Sequence, residues 1–122
     1  MNEFLQLTKE IKEKIVVDVY DRYLNGRKFD RKNYDDFYQM KEETKPIFDK
    51  IDVWGELANK HVHQLPIFPN QIKNTVDNLE IMVLHSYFHD VRKKRFMELH
   101  QSVLYNLDLI LNNDKNRRMT NE

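Results

Sequence analysis

The sequence predicts an all-α protein, an antiparallel up-and-down four-helix-type bundle. Three observations carry that expectation. Apolar residues recur at spacings of three and four through four long stretches. Only two glycines and three prolines punctuate the 122 residues, too few for a many-turned β-sandwich. Charged residues make up 33% of the chain and fall between the apolar ones, as the solvated outer faces of helices require.

The first helix is expected over residues 3–25, where Phe4, Leu7, Ile11, Ile15, Val19 and Tyr23 mark one face. Gly26 follows at the place where a left-handed cap favours a residue without Cβ. The connector GRKFDRK is the most basic loop in the chain. The series Phe37, Met40, Thr44, Ile47, Ile51, Trp54, Ala58, His61 and Leu65 then keeps the helical period, but Pro46 interrupts it. Either one helix kinks at Pro46, or a short helix over 34–44 precedes a main helix over 45–65. Matching lengths favours the second, with Thr44 as N-cap and Pro46 in the first turn. LPIFPN ends that helix, and Asn70 is the expected cap of the next, with Ile72, Val76, Leu79, Val83, Tyr87 and Val91 on its buried face. Phe96, Leu99, Val103, Leu107 and Ile110 mark the last helix. No glycine or proline separates these two, yet an unbroken rod would leave its apolar stripe without a partner. A tight turn near residues 90–94, capped by Asp90, is therefore expected. One domain over 1–111 and a flexible polar tail over 112–122 complete the layout.

Composition bounds the chemistry. With 20 basic and 20 acidic residues the net charge is zero, which argues against a general nucleic-acid binder. Cysteine is absent, excluding disulfides, thiolate catalysis and Cys-ligated zinc. The N-terminal stretch has no basic region followed by an apolar run, and no apolar segment is long enough to span a bilayer. A soluble, cytoplasmic protein is the expectation.

The stretches TKPIFDK, QIKNTVDNLEIMVLHSYFHDVRKKRF and QSVLYNL carry a resemblance. Its densest part is Ser86-Tyr87-x-His89, followed by Lys93-Lys94-Arg95-Phe96 and Ser102-Val103-Leu104-Tyr105. From about residue 34 to residue 110 the chain resembles the YppE-like family of small bacterial proteins of unknown function. The resemblance implies an all-α bundle from a Gram-positive bacterium and brings no established activity, substrate or cofactor.

The residues themselves offer three functional readings. His85 and His89 share a helix face, and a turn near residue 92 would return His100 to their height, the makings of a three-nitrogen metal site or an enzyme. Against this stands the absence of an H-E-x-x-H motif or of paired E-x-x-H helices. The serines lack a nucleophile-elbow context, and two glycines cannot build a phosphate-cradling loop. No catalytic residue, metal ligand or cofactor is assigned. The second reading follows from topology, because an up-and-down bundle brings its first and third connections to one end. Arg27, Lys28, Arg31 and Lys32 thereby meet Arg92, Lys93, Lys94 and Arg95. Tyr20, Tyr23, Phe29, Tyr34, Phe37, Tyr38, Tyr87, Phe88 and Phe96 gather at the same end, with Tyr34, Tyr38 and Tyr87 the candidate interface rings. The end then meets an acidic protein partner, in a non-catalytic interaction or accessory role. A third reading gives the same surface to nucleic acid or another polyanion, and a fourth, purely structural, has the cations offset helix dipoles.

Overall fold

In the computed structural model residues 1–120 are described, with side chains for residues 1–113. Helix α1 (Asn2–Glu10), a π-helical turn (Ile11–Ile15) and α2 (Val16–Asn25) run end to end as one rod. They are followed by α3 (Tyr34–Lys60), a 3-10 turn (Val62–Gln64), α4 (Pro69–Phe88) and α5 (Lys93–Thr120). The first rod, α3, α4 and α5 form the four-helix bundle. Lys12 of the first rod pairs with Asp108 of α5 at 2.6 Å, and Tyr20 meets His100 further along, so these two run antiparallel. Pairing of Glu10 with Lys50 and of Thr8 with Trp54 sets α3 antiparallel to the first rod as well. The tail expected over 112–122 falls largely beyond residue 113, outside the residues whose side chains are described.

The π turn has a cause in the spacing. Ile11, Ile15, Val19 and Tyr23 are each four apart, and four residues of α-helix overshoot one turn by about 40°. Such a stripe drifts off the core unless the helix is locally widened. Val16 N–H bonds back five residues to the Ile11 carbonyl, and Ile11, Ile15, Val16 and Val19 are all buried.

At the opposite end from the two basic connections, Trp54 is fully buried, stacked on Phe4 at 5.9 Å. Its indole N–H donates to Thr8 Oγ1 at 2.9 Å, and the Thr8 hydroxyl donates to the Phe4 carbonyl at 2.8 Å. A large ring and a hydroxyl are thus buried together with their polar atoms paired. Asn106 of α5 and Thr75 of α4 repeat the arrangement, the amide donating to Thr75 Oγ1 at 2.9 Å.

Several sequence expectations need correction. Residues 34–44 are the first turns of α3 and not a separate helix, and α3 ends at Lys60 rather than at 65. Asn33 is its N-cap, accepting the Asp36 N–H at 3.0 Å. Thr44 is buried in mid-helix and turns back to donate to the Met40 carbonyl at 2.7 Å. Pro46 is tolerated because its ring is on the exposed face, away from the packing interface. Gly26 is extended, at φ −79°, so no left-handed cap forms. What requires glycine there is proximity, since a Cβ would lie 2.6 Å from the Arg22 carbonyl oxygen. Helix α4 begins at Pro69, with Phe68 N–H donating to the Gln71 side chain at 2.8 Å, and Asn70 is already inside its first turn. The turn between α4 and α5 falls where expected, but His89, at φ 50°, supplies the left-handed residue that ends α4. Asp90 serves the neighbouring connection instead of capping α5.

Replacing Trp54 by alanine empties the centre of this packing and should destabilise the protein by roughly 3–5 kcal/mol. Chemical denaturation should therefore show a large drop in midpoint, and an unchanged midpoint would place Trp54 outside the core. Pro46→Ala restores an N–H inside α3 and should stabilise the protein, raising its melting temperature, by no more than the ~3 kcal/mol of free energy that an interior proline costs. A fall on that substitution would mean that α3 depends on the proline.

Candidate functional site

The first and third connections do meet at one end of the bundle. Arg31, in the first, donates through Nε at 3.0 Å and through Nη2 to Asp90, in the third. Phe29 N–H donates to the Tyr87 carbonyl at 2.8 Å, filling an acceptor left open in the last turn of α4. The Phe29 ring is buried edge-on against the Tyr87 ring at 5.1 Å. Tyr23 ties α2 to the far connection, its hydroxyl donating to the Val91 carbonyl at 2.6 Å while its ring stacks on Phe96 at 3.9 Å.

The basic loop folds as it does because three acids organise it. Asp36 accepts both Nη atoms of Arg27, at 3.1 and 3.0 Å, and the Asp30 N–H at 2.9 Å. The Arg27 guanidinium, with the Asp30 N–H, holds the Asp36 carboxyl below the usual range. Asp30 closes the next turn by accepting the Lys32 N–H at 2.9 Å. Asp90 is partly desolvated, which would raise its pKa, but the bonds from Arg31 and from His85 Nδ1, the latter 2.6 Å, outweigh that and lower it. Arg27 and Arg31 also lie over the Phe29 and Phe88 rings, at 4.0 and 4.1 Å from their centroids.

The eight predicted cations divide into two groups. Arg27 and Arg31 are engaged as described, and Arg95 reaches Glu98 at 3.7 Å. Lys28, Lys32, Arg92, Lys93 and Lys94 are exposed and form no ion pair among the described residues. A cleft of about 410 Å³ opens between the connections, lined by Lys28, Phe29, Asp30, Arg31, Lys32, Phe88 and Asp90. Of the candidate interface rings, Tyr34 and Tyr38 are exposed, at 77% and 54%, and stack on each other at 6.2 Å. Tyr87 is not an interface residue. It is 1% exposed beneath Arg22, whose guanidinium lies 4.4 Å from the ring centroid, and burial pushes its hydroxyl up to about 12. Phe37, which the periodicity placed in the core series, is instead 42% exposed beside Tyr34 and Tyr38.

The three histidines have separate neighbours. His85 bonds Asp90, and His89 donates through Nε2 to the Ser86 carbonyl at 2.9 Å and touches Tyr23 edge-on. His100 lies 4.8 Å from the Tyr20 ring, and burial lowers its pKa. Among the described residues no group of three His, Cys, Asp or Glu side chains is placed to hold a metal ion. The roles of Asp36 and Asp90 as organisers were not read from the sequence. The only signal was their position, one acid beside each basic cluster.

The resemblance to known proteins covers nearly the whole chain. The model of a bacterial domain of unknown function (DUF1798) matches residues 6–113. The uncharacterized protein YppE of Bacillus subtilis is 32% identical over 118 residues, spanning 87% of each chain. The crystal structure of YppE from Bacillus subtilis superposes with a TM-score of 0.76 over 99% of this chain and 98% of that one, at 24% identity, and so shares the fold. No helix among the described residues is long and apolar enough to cross a membrane. On the match over residues 6–113 this chain belongs to the bacterial DUF1798 family, and on the 32% identity it is a relative of YppE.

Proposed function

We propose that this protein is a non-catalytic cytosolic interaction module that meets an acidic protein through the basic end of its bundle. The observation that carries the reading is the division of the eight cations. Three are engaged with carboxylates, and two of those hold the connections in place; Lys28, Lys32, Arg92, Lys93 and Lys94 are left exposed together. Helix-dipole compensation accounts for charge near the ends of α2 and α4, worth ~0.3–1 kcal/mol per residue. It does not call for five exposed cations in two connections that meet, two of them, Lys28 and Lys32, lining the cleft between. An acidic protein suits this end better than nucleic acid, because Asp30 and Asp35 interrupt the positive field and the chain carries no net charge. A metal protein or enzyme built on His85, His89 and His100 draws no support from their placement, since each faces a different neighbour.

Reversing charge at Lys93 and Lys94, both to glutamate, tests the proposal. Both side chains are exposed and unpaired, so stability should change by no more than about 0.5 kcal/mol. Capture of acidic proteins from an extract of the native host should be lost in the variant. In the wild type it should weaken as added salt shortens the screening length below about 8 Å. Capture that survives the reversal would leave helix-dipole compensation as the explanation of the cluster, and capture of nucleic acid alone would give the surface to a polyanion.

A further inference from the structure

Helix α3 outruns the helix it packs against. Tyr87, in the last turn of α4, sits beside Glu43, so residues 34–42 of α3 project past α4 by about 13 Å. Lower down, one face of α3 is held against α4. A Cβ on Gly55 would lie 3.0 Å from Val76 Cγ2, and Asp52 lies close enough to Glu80 to raise its pKa together with burial. At about 100° per residue, Tyr34, Phe37, Tyr38 and Lys41 all fall within about 60° of the direction of Asp52. They continue, at spacings of three and four, the face that receives α4. The basic loop covers the overhang on its Asp36 side and leaves this stripe open, with Tyr34, Phe37 and Tyr38 all exposed. Lys41 lies 5.6 Å from the centroid of the Phe37 ring.

From this geometry we infer that the exposed stripe of the overhang is a docking face for a short amphipathic helix of a partner protein, acidic along the edges of its apolar face, which lies along α3 beside the loop that covers the end of α4. The inference rests on the proposed role of the basic end and specifies how the partner binds there. Shape argues for a helix, because the stripe is the continuation of a helix-packing face and has the same period. Charge argues for acidity, because Lys41 and Lys45 are exposed on α3 itself, along this stripe, and form no ion pair among the described residues. The same charges oppose a second copy of this chain, which would bring an identical set of cations to the contact. The rings supply the apolar contact that a partner's apolar face would cover, two of them tyrosines whose hydroxyls stay at the wet rim.

A photoreactive p-benzoylphenylalanine in place of Tyr38, with the protein expressed in its native host, tests this. Parallel proteins carry the probe in place of Lys93 or of Val53, which is exposed on another side of α3. The expected product at position 38 is one protein, cross-linked through a segment with more acidic than basic residues and apolar residues at helical spacing. The probe at position 93 should reach the same protein, and the probe at position 53 should not. That segment, made as a peptide, should bind the Tyr34→Ser/Tyr38→Ser variant at least about tenfold more weakly than the wild type. Circular dichroism of that variant should be unchanged, since both side chains are exposed. Cross-linking of a protein at 93 with none at 38 would overturn the docking face and leave the basic end as the interaction site. Silence at both positions would overturn both proposals. Cross-linking at 38 to nucleic acid or to a second copy, or unaltered peptide binding by the double variant, would also overturn the docking face.

Discussion

Four helices of unequal length cannot all cover one another, and that mismatch governs the basic end of this molecule. Helix α3 spans Tyr34–Lys60 while its neighbour α4 spans Pro69–Phe88. At 1.5 Å per residue they differ by about 10 Å, and the turns of α3 beyond Phe88 must find cover elsewhere or stay exposed. The chain resolves this on one side only. The loop between α2 and α3 folds back onto the end of α4, where Phe29 bonds Tyr87 and Arg31 bonds Asp90, and its Arg27 grips Asp36 on the overhang. On the other side the tyrosines remain in solvent.

The same contacts explain why charge at this end is of two kinds. A guanidinium is planar and forks, so it can lie on a ring and bond a carboxylate at once, as Arg27 and Arg31 do over Phe29 and Phe88. These two cations are part of the architecture. A lysine ammonium lacks that geometry, and Lys28, Lys32, Lys93 and Lys94 stand in solvent. Position within the loops therefore separates cations that hold the bundle end together from cations left available. Exposed pairs contribute little stability individually, but here they share partners with buried rings and with backbone bonds between connections.

The bundle was legible in the sequence because period and burial coincide. Phe4, Ile11, Trp54, Ile72, Leu79, Phe96 and Leu107 were placed on core faces by spacing alone and are buried. The meeting of the two basic connections was legible too, since it follows from helix count and direction. What failed was local. Pro46 was read as a helix start on the premise that paired helices match in length, and α3 breaks that premise. Gly26 was read for its backbone freedom when the constraint is its distance from the Arg22 carbonyl. Phe37 was sorted onto the wrong side of the surface, because periodicity places a residue on a face but does not show where the facing helix ends; Tyr87 is buried as its period requires, and only the gathering of rings at the basic end made it an interface candidate. The organising acids left no motif, only a place beside each basic cluster: Asp36 and Asp90 act across loops, at separations that no motif records.

Amide hydrogen exchange tests the central claim most directly, comparing this protein alone with the protein isolated in complex from its native host. The account predicts that slowed exchange is gained over residues 34–42 and over the connection around Arg92–Arg95, with the centre of the bundle unchanged. Protection gained instead along the groove between the first rod and α5, where Val17 and His100 lie, would contradict it.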